Sequence, residues 1–417
     1  MKKVHSPFYF PINLSILPFT YQLQVYYKNL ENHEKPKMNL FKITIVFVII
    51  ANSLTLSGQE KLSNDKRTLK ESFKDHFLIG TAMNQQQIAG IDTTAIKIIT
   101  TQFNSIVAEN AMKSMYLQPK EGQFIFDQSD RFVDFGIKND LKIIGHTLIW
   151  HSQAPDWFFK DSLGNDIGRE ALISRMEKHI KTVVGRYRGK IYGWDVVNEA
   201  FNDDGTWRRS KFFEIIGEEF FSLAFKFAHE ADPEAQLYYN DYNTALTAKR
   251  DGIAEKILKL KKMGLRIDGI GMQQHNSLTF PSIEEIEKSI NKFFGLGLKV
   301  MITELEVSVL PWADSGPTAE ITSTEAYRKK LDPYKDGLPD EINKELGDRY
   351  LSLFNLYLKH KEKIGRVTLW GVSDKDSWLN NFPIKGRKNY PLFFDRDYMP
   401  KSFVKDIIVL SDKFREN

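Results

Sequence analysis

Eight short runs of β-branched and aromatic residues alternate with longer amphipathic segments along this chain of 417 residues. The runs lie at 77–83, 105–107, 142–148, 193–197, 236–239, 269–272, 299–303 and 366–370. Strands that are apolar on both faces and are separated by helices predict a parallel sheet that is covered on both sides. Eight such repeats favour an α/β fold in which a single (β/α)8 TIM barrel surrounds a parallel eight-stranded core.

An open, doubly wound sheet is the competing architecture, and the pattern of runs alone leaves it open. Its dinucleotide-binding form needs a GxGxxG turn after the first strand, and the sequence has none there. The segment GIGMQQ at 269–274 lacks the third glycine and opens no helix. The long polar stretch at 310–341 lies between the last two runs, and we interpret it as an insertion over the top of the barrel.

Polar side chains collect at the carboxyl end of almost every run. In chain order they are Glu109, Asn110, Lys113, His146, Trp150, His151, Gln153, Asn198, Glu199, Asn240, Asp241, Tyr242, Gln273, His275, Glu304, Trp370, Asp374 and Trp378. Such groups are costly to bury unless they bind a partner. The carboxyl ends of parallel barrel strands meet on one face, where active sites are built. The sequence therefore predicts an active site on that face.

Two carboxyl groups in this set suggest the chemistry. Glu199 and Glu304 stand just after the fourth and seventh runs, so they come from different sides of the predicted barrel mouth. Paired carboxyl groups suit glycoside hydrolysis, in which one protonates the leaving oxygen and the other attacks the anomeric carbon. Amides and Lys113 can bind sugar hydroxyls, while indole rings can pack on the apolar faces of sugars.

Composition argues against two other kinds of function. A metal centre could recruit His146, His151 and His275, but no HEXXH or HXH pattern occurs and the chain has no cysteine, so we expect no metal. The formal charge of +4 comes from residues 1–58, which hold six lysines and two glutamates. The remaining 52 basic and 52 acidic residues balance, and we therefore expect no nucleic-acid partner.

Residues 1–58 are interpreted as a leader that includes a signal peptide. Lys42 precedes an apolar run at 43–51, which is typical of an export signal. The nine residues of that run are too few for a membrane span, which takes about 20. We predict that translation starts at Met38 and that the mature barrel, residues 59–417, is exported to the periplasm or the medium without a stable membrane span.

The chain resembles glycoside hydrolase family 10, the retaining endo-β-1,4-xylanases, from about residue 76 to 410. Seven motifs of that family occur in order: AENAMK at 108–113, GHTLIWHSQAPDW at 145–157, WDVVNEAF at 194–201, YYNDYN at 238–243, GIGMQQH at 269–275, ITELEV at 302–307 and LWGVSDKDSW at 369–378. A single Asn-Glu dipeptide would mean little, but seven ordered motifs are highly specific.

The resemblance implies roles for individual residues. Glu199 corresponds to the general acid/base, and Glu304 corresponds to the nucleophile. Tyr242 matches an aromatic residue on the aglycone side. The sugar-binding positions on the glycone side match Glu109, Asn110, Lys113, His146, Trp150, Gln153, Asn198, Gln273, His275, Trp370 and Trp378. We expect no cofactor.

Three positions depart from the family pattern. Ser114 stands where an aromatic residue is common, which would alter a supporting wall of the glycone pocket. Glu306 stands where Asp is frequent, which would change the coupling between His275 and Glu304. Leu379 replaces a common Arg, which would remove one polar contact near the sugar.

We therefore expect a secreted, monomeric endo-β-1,4-xylanase that acts on xylan or xylo-oligosaccharides by a retaining double displacement. A β-1,4-glucanase of the same mechanism is an alternative, because a pocket gains only about 1–3 kcal/mol from a difference as small as one hydroxymethyl group. A non-catalytic carbohydrate-binding barrel is another alternative, although it would need neither Glu199 nor Glu304.

Overall fold

The computed structural model describes residues 67–311 and 330–415. Within these residues the strands are β1 (Leu78–Met83), β2 (Ser105–Ala108), β3 (Lys142–Trp150), β4 (Gly193–Asn198), β5 (Gln236–Asp241), β6 (Gly269–Met272), β7 (His275–Ser277), β8 (Lys299–Ser308) and β9 (Ile364–Leu369). All of their mutual pairings are parallel.

Helices connect the strands and pack their apolar faces against the sheet. They comprise Leu69–Phe73, Gln85–Ile88, Thr93–Gln102, Ser114–Leu117, Asp127–Lys138, Arg169–Arg186, Lys211–Ile216, Glu219–Ala231, Thr247–Lys262, Ile283–Phe294, Asp340–Lys359 and Ser402–Asp412. Short 3-10 turns lie at Asp156–Phe158 and Trp378–Asn381.

The sheet closes on itself. Strands β1 to β6 pair in sequence, β6 pairs with β8, β8 pairs with β9, and β9 returns to β1. The short strand β7 pairs with the carboxyl-terminal part of β8 and lies outside the ring. Eight strands therefore form a closed parallel barrel in the described part of the chain, and the predicted (β/α)8 fold is confirmed.

Most strands match the predicted runs to within two residues at each end, but larger differences occur at the seventh run and at residues 212–230, an amphipathic stretch that looks like a single helix in the sequence. The seventh run was expected to end at residue 303, but β8 continues through Glu304 and Glu306 to Ser308. Its backbone pairs with β9 and β7, so the ladder does not depend on apolar side chains. The amphipathic segment at 212–230 is divided between two helices, because Gly217 has a φ of +84° that ends the first helix.

The strand ladders are irregular near their carboxyl ends. The register shifts between His146 and Ile149 in the β3–β4 pairing, between Asp195 and Val197 in the β4–β5 pairing, and between Ile302 and Leu305 in the β8–β9 pairing. Bulges of this kind redirect side chains and are common beside active sites.

Several sequence-based predictions fall on residues that are not described. The leader at 1–58 and the start at Met38 lie outside the described residues, as does most of the insertion predicted at 310–341. The helix Asp340–Lys359 begins at the end of that stretch. Among the described residues, no helix has both the length and the apolar character needed to cross a membrane.

Candidate active site

One cavity of about 800 Å³ lies at the carboxyl ends of the barrel strands. All fourteen residues predicted to form the site line it: Glu109, Asn110, Lys113, His146, Trp150, Gln153, Asn198, Glu199, Tyr242, Gln273, His275, Glu304, Trp370 and Trp378. Its size is that of a typical small-molecule pocket. The structure thus brings together groups that are separated by up to 269 positions, from Glu109 to Trp378, in the sequence.

Three further residues line the cavity and were not predicted: Asn243, Phe280 and Phe382. Asn243 ends the motif YYNDYN, so its position was available in the sequence. Phe280 and Phe382 each precede a proline in a loop after a barrel strand. Isolated aromatic residues in loops carry no periodic signal, and sequence patterns therefore did not distinguish them from ordinary packing residues.

Glu304 lies on β8 at the bottom of the cavity and is only 5% exposed. Its Oε1 accepts a hydrogen bond from Asn240 Nδ2 (2.8 Å), and its Oε2 lies 3.2 Å from His275 Nε2. Burial by itself raises the pKa of Glu304, but the hydrogen bond and charge of His275, together with the Asn240 amide, hold that pKa below its ordinary value. The side chain is therefore kept as a carboxylate inside the protein.

His275 is the positively charged group in direct contact with Glu304. Burial lowers its pKa, but hydrogen bonds to Glu304 and Glu306 and their negative charges outweigh this and raise the pKa to about 10. As an imidazolium, His275 donates from Nε2 to Glu304 and from Nδ1 to Glu306 Oε1 (2.7 Å). It therefore bridges the two buried carboxyl groups of β8.

Glu306 is fully buried, and it contacts more than His275. Its Oε1 also accepts a hydrogen bond from Trp378 Nε1 at 2.7 Å, while its Oε2 has no hydrogen-bond partner among the residues that the structure describes. Burial raises the pKa of Glu306, against the opposing effect of His275. The coupling between His275 and Glu304, which Glu306 was expected to change, is present. The longer side chain of Glu306 also fixes the indole of Trp378.

Glu199 follows β4 on another side of the cavity and is only half-buried. Its Oε2 accepts a hydrogen bond from Trp150 Nε1 (2.9 Å), and its Oε1 accepts from Gln273 Nε2 (3.1 Å) and Asn198 Nδ2 (3.3 Å). All three donors are neutral. In contrast to Glu304, this carboxyl group has no cationic hydrogen-bond partner within the described ranges of the chain.

A chain of amides links the two glutamates. Gln273 Nε2 contacts both Glu199 and Asn198 Oδ1 (3.4 Å), and Asn240 Nδ2 donates to Asn198 Oδ1 (2.9 Å) and to Glu304. Asn240 was noticed as a polar strand end but was not among the predicted site residues. Its function as a bridge depends on the pairing of β5 with β4, which no local pattern reveals.

One wall of the cavity combines charge with aromatic surface. Lys113 is 6% exposed, donates to Asn110 Oδ1 (3.0 Å) and lies 4.9 Å from the centre of the Trp150 ring. Burial lowers the pKa of Lys113 and raises that of nearby Glu109. Donors and acceptors next to an apolar ring are the arrangement that can bind a sugar, because sugars have polar edges and apolar faces.

Another part of the cavity lining is built around indole rings. His146 Nδ1 lies 2.9 Å from Asp195 Oδ2, and the imidazole ring meets Trp370 edge to face with the centroids 5.5 Å apart. Trp370 packs in a small apolar cluster to which Trp378 also belongs. Because buried partners fix these rings, they present rigid apolar surfaces to the cavity.

Ser114 and Leu379, the other two positions that depart from the family pattern, have different surroundings in the structure. Ser114 is buried, and its hydroxyl donates a long hydrogen bond to Gln153 O (3.4 Å), so a small polar group supports the wall there. Leu379 is fully buried and does not line the cavity. Nothing in the cavity therefore depends directly on the side chain of Leu379.

The histidines considered for a metal site have other partners or lie elsewhere. His146 and His275 bond carboxylates, and His151 does not line the cavity. In the parts of the chain that are described, no group of three or more His, Cys, Asp or Glu side chains is arranged to hold a metal ion.

The family model described as "Glycosyl hydrolase family 10" matches residues 68–409. Endo-1,4-beta-xylanase A of Xylanibacter ruminicola is 46% identical over 349 residues, covering 84% of this chain and 95% of its own. An endo-1,4-beta-xylanase of Geobacillus stearothermophilus is 41% identical over 341 residues and covers 80% and 96% of the respective chains. The structure of a GH10 endoxylanase from a sugarcane soil metagenome is 43% identical, with a TM-score of 0.78, covering 83% of this chain and 100% of its own. With the barrel and this cavity, these similarities establish that the chain belongs to glycosyl hydrolase family 10.

Proposed function

We propose that this chain is an endo-β-1,4-xylanase that hydrolyses internal β-1,4-xylosidic bonds of xylan by a retaining double displacement. The observation that carries the proposal is the pair Glu304 and Glu199, which share one cavity but have different surroundings. The names of the two xylanase relatives support xylan as the substrate.

In the first step, Glu304 is the nucleophile. A carboxylate oxygen of Glu304 forms a bond to the anomeric carbon while the bond between that carbon and the leaving oxygen breaks. Glu199 gives its proton to the leaving oxygen, which departs as a hydroxyl group on the shortened chain. The lowered pKa of Glu304 suits this step, because the nucleophile must be ionised when the substrate arrives.

In the second step, Glu199 acts as a base. It removes a proton from water, the water oxygen bonds to the anomeric carbon, and the ester to Glu304 breaks to regenerate both carboxyl groups. Two inversions at one carbon return it to its original configuration. Loss of the negative charge on Glu304 in the ester makes the ionised form of Glu199 easier to reach, so the same group can serve both steps.

The amides and aromatic rings of the cavity have binding functions in this proposal. Asn198 Nδ2 is placed next to the acid/base carboxyl, where it can bond the sugar 2-hydroxyl, an interaction that strengthens in the transition state. The glycone sugars lie between the wall of Lys113 and Trp150 and the wall of Trp370 and Trp378, and Tyr242 contacts the aglycone.

We also propose that residues 1–58 are a leader removed during export and that 59–417 form the catalytic barrel, working as a monomer outside the cytoplasm. The similarity begins at residue 68, after the proposed leader, which supports this division. Amino-terminal sequencing of the precursor and of the exported protein tests it. A mature protein that retains residues before Met38 would contradict the proposed start.

Two measurements test the activity. Purified protein should release reducing sugar from xylan much faster than from β-glucan; preference for β-glucan would instead identify a glucanase, and no release from either polymer would indicate a binding protein. Proton NMR of the first product should show the β-anomer before mutarotation. An initial α-anomer would contradict the double displacement.

A further inference from the structure

The backbone at Glu199 has an unusual conformation for a side chain of its size. Its φ of +57° lies in the left-handed region, which residues other than glycine rarely adopt. Such conformations are strained and persist where the surrounding structure imposes them. The contacts that impose this one therefore also set the direction of the Glu199 carboxyl.

Three hydrogen bonds hold this backbone. Glu199 N donates to Asn240 O (2.9 Å), and Glu199 O accepts from Arg208 Nε (2.9 Å). The next amide, Ala200 N, donates to the hydroxyl of Tyr239 (3.0 Å). Two of the partners belong to β5, next to β4 in the barrel. Arg208 is the only one of the three that approaches from the loop after β4.

The loop after β4 folds back on itself and brings Arg208 next to Glu199. Within it, Asn202 N donates to Thr206 O (2.9 Å) and Gly205 N donates to Asn202 O (2.9 Å). Gly205 has a φ of +80°, and a Cβ there would lie 2.4 Å from Ala248 O in the following helix. The loop therefore has little freedom. It ends with Arg208 N donating to Ala200 O at 2.8 Å.

The same guanidinium contacts the cavity wall. Arg208 Nη2 donates to the hydroxyl of Tyr242 at 2.7 Å. The Lys249 ammonium lies 3.7 Å from the centre of the Tyr242 ring and is buried in an ion pair with Asp241 (2.9 Å), so the ring is fixed from that side. Because the guanidinium is a rigid planar group, its two bonds fix Tyr242 and Glu199 O relative to each other.

We propose that Arg208 is a positioning residue that couples the aglycone-side Tyr242 to the backbone of Glu199, and so fixes the proton donor relative to the leaving group. The inference rests on the proposed function of Glu199 and Tyr242. A proton is transferred efficiently only across a short, aligned contact, and a displacement of about 1 Å can cost about 100-fold in rate. Arg208 therefore acts on leaving-group protonation without contacting the reacting atoms.

Substrates that differ in their need for a proton test this proposal. Phenyl β-xylobioside needs protonation of its leaving oxygen, whereas 2,4-dinitrophenyl β-xylobioside has a leaving group that departs without it. The substitution Arg208→Met removes the guanidinium and keeps an unbranched apolar side chain. We expect it to lower kcat/KM about 10- to 100-fold for the phenyl substrate and less than about threefold for the dinitrophenyl substrate.

A neighbouring arginine provides the matched control. Arg209 is exposed and stacks near Phe213, with 5.7 Å from its guanidinium carbon to the ring centre. Arg209→Met makes the same chemical change one residue away and should alter kcat/KM less than about twofold for both substrates. Arg208→Lys keeps the charge but replaces the planar fork with one ammonium, and we expect an intermediate loss with the same substrate selectivity.

The outcomes separate the inference from the function on which it rests. Equal losses on the two aryl substrates in both Arg208 variants, or no loss in either, would overturn the positioning role while the xylanase proposal stands. If Arg208→Met does not fold, the selectivity of Arg208→Lys decides. Wild-type protein that hydrolyses neither aryl substrate nor xylan would overturn the proposed function itself.

Discussion

Glu304 and Glu199 line the same cavity, yet the barrel surrounds them differently. Glu304 lies within a strand, is almost fully buried and contacts His275, whose pKa is raised to about 10. Glu199 lies just beyond its strand, is half-buried and contacts one indole and two amides, all neutral. Glu304 is thus held ionised by a buried cation, whereas the hydrogen-bond partners of Glu199 in the described part of the chain are all neutral.

The comparison shows that one cavity gives two side chains of the same type different surroundings, as the proposed roles of nucleophile and acid/base require. Environment determines which carboxyl group of a pair stays charged and which carries the proton. In this barrel, the difference arises from His275 and Glu306, next to Glu304, and from Trp150 and Gln273, next to Glu199. Each prediction below alters one side of this comparison and leaves the other side in place.

The largest effect is expected at Glu304. Glu304→Ala removes the proposed nucleophile and should lower kcat/KM by ~10⁴-fold or more on every substrate, activated or not, because in the proposed mechanism it is Glu304 that forms the ester. Steady-state hydrolysis of xylan and of both aryl xylobiosides measures this loss. Glu304→Gln, which keeps the size of the side chain, should be equally inactive, and normal activity in either variant would remove Glu304 as nucleophile.

A smaller and more selective effect is expected at Glu199. Glu199→Ala should lower kcat/KM about 10²- to 10⁴-fold for xylan and phenyl β-xylobioside, which need the proton. The loss on 2,4-dinitrophenyl β-xylobioside should be far smaller, and turnover should then be limited by hydrolysis of the ester. Equal losses on both aryl substrates would contradict the distinction between the two carboxyl groups.

The substitution His275→Asn tests the electrostatic origin of that distinction. It removes the positive charge and the hydrogen bond that offset the effect of burial on the Glu304 carboxyl, so the pKa of Glu304 should rise. Because the proposed reaction requires ionised Glu304, kcat/KM should begin to fall at a higher pH in this variant. The acidic limb of the plot of kcat/KM against pH should move up by about 1 to 2 pH units. His229→Asn, at a half-buried histidine bonded to Arg266, is the control and should leave the limb in place. An unshifted limb in His275→Asn would show that His275 does not set the charge of Glu304.

The smallest effect concerns Glu306. Glu306→Asp introduces the residue that is frequent in the family, but the shorter side chain cannot keep both the His275 and Trp378 hydrogen bonds at 2.7 Å. Loss of one such bond is worth about 1 kcal/mol, so we expect about a fivefold change in KM for xylo-oligosaccharides with kcat nearly preserved. Unchanged kinetics would show that Trp378 is fixed by packing alone.

The sequence predicted much of this architecture because its signals are local. Apolar runs alternating with amphipathic segments identified the strands, and the polar residues after them identified the catalytic face. Where the prediction was wrong, the reason was also local. The predicted strand at 299–303 stops before the first carboxylate, although strand pairing continues through Glu304 and Glu306.

What the sequence alone determined is which groups stand at the strand ends, since composition and order fix the chemical types and the barrel gathers them on one face. What only the tertiary structure decided is which of those groups touch. Asn240 bridges Asn198 and Glu304, and Arg208 reaches Glu199 O, because neighbouring strands and a closed loop set angles and distances that no one-dimensional pattern contains. The difference between the two glutamates is a matter of burial and charge within a few ångströms, which exists only after the chain has folded.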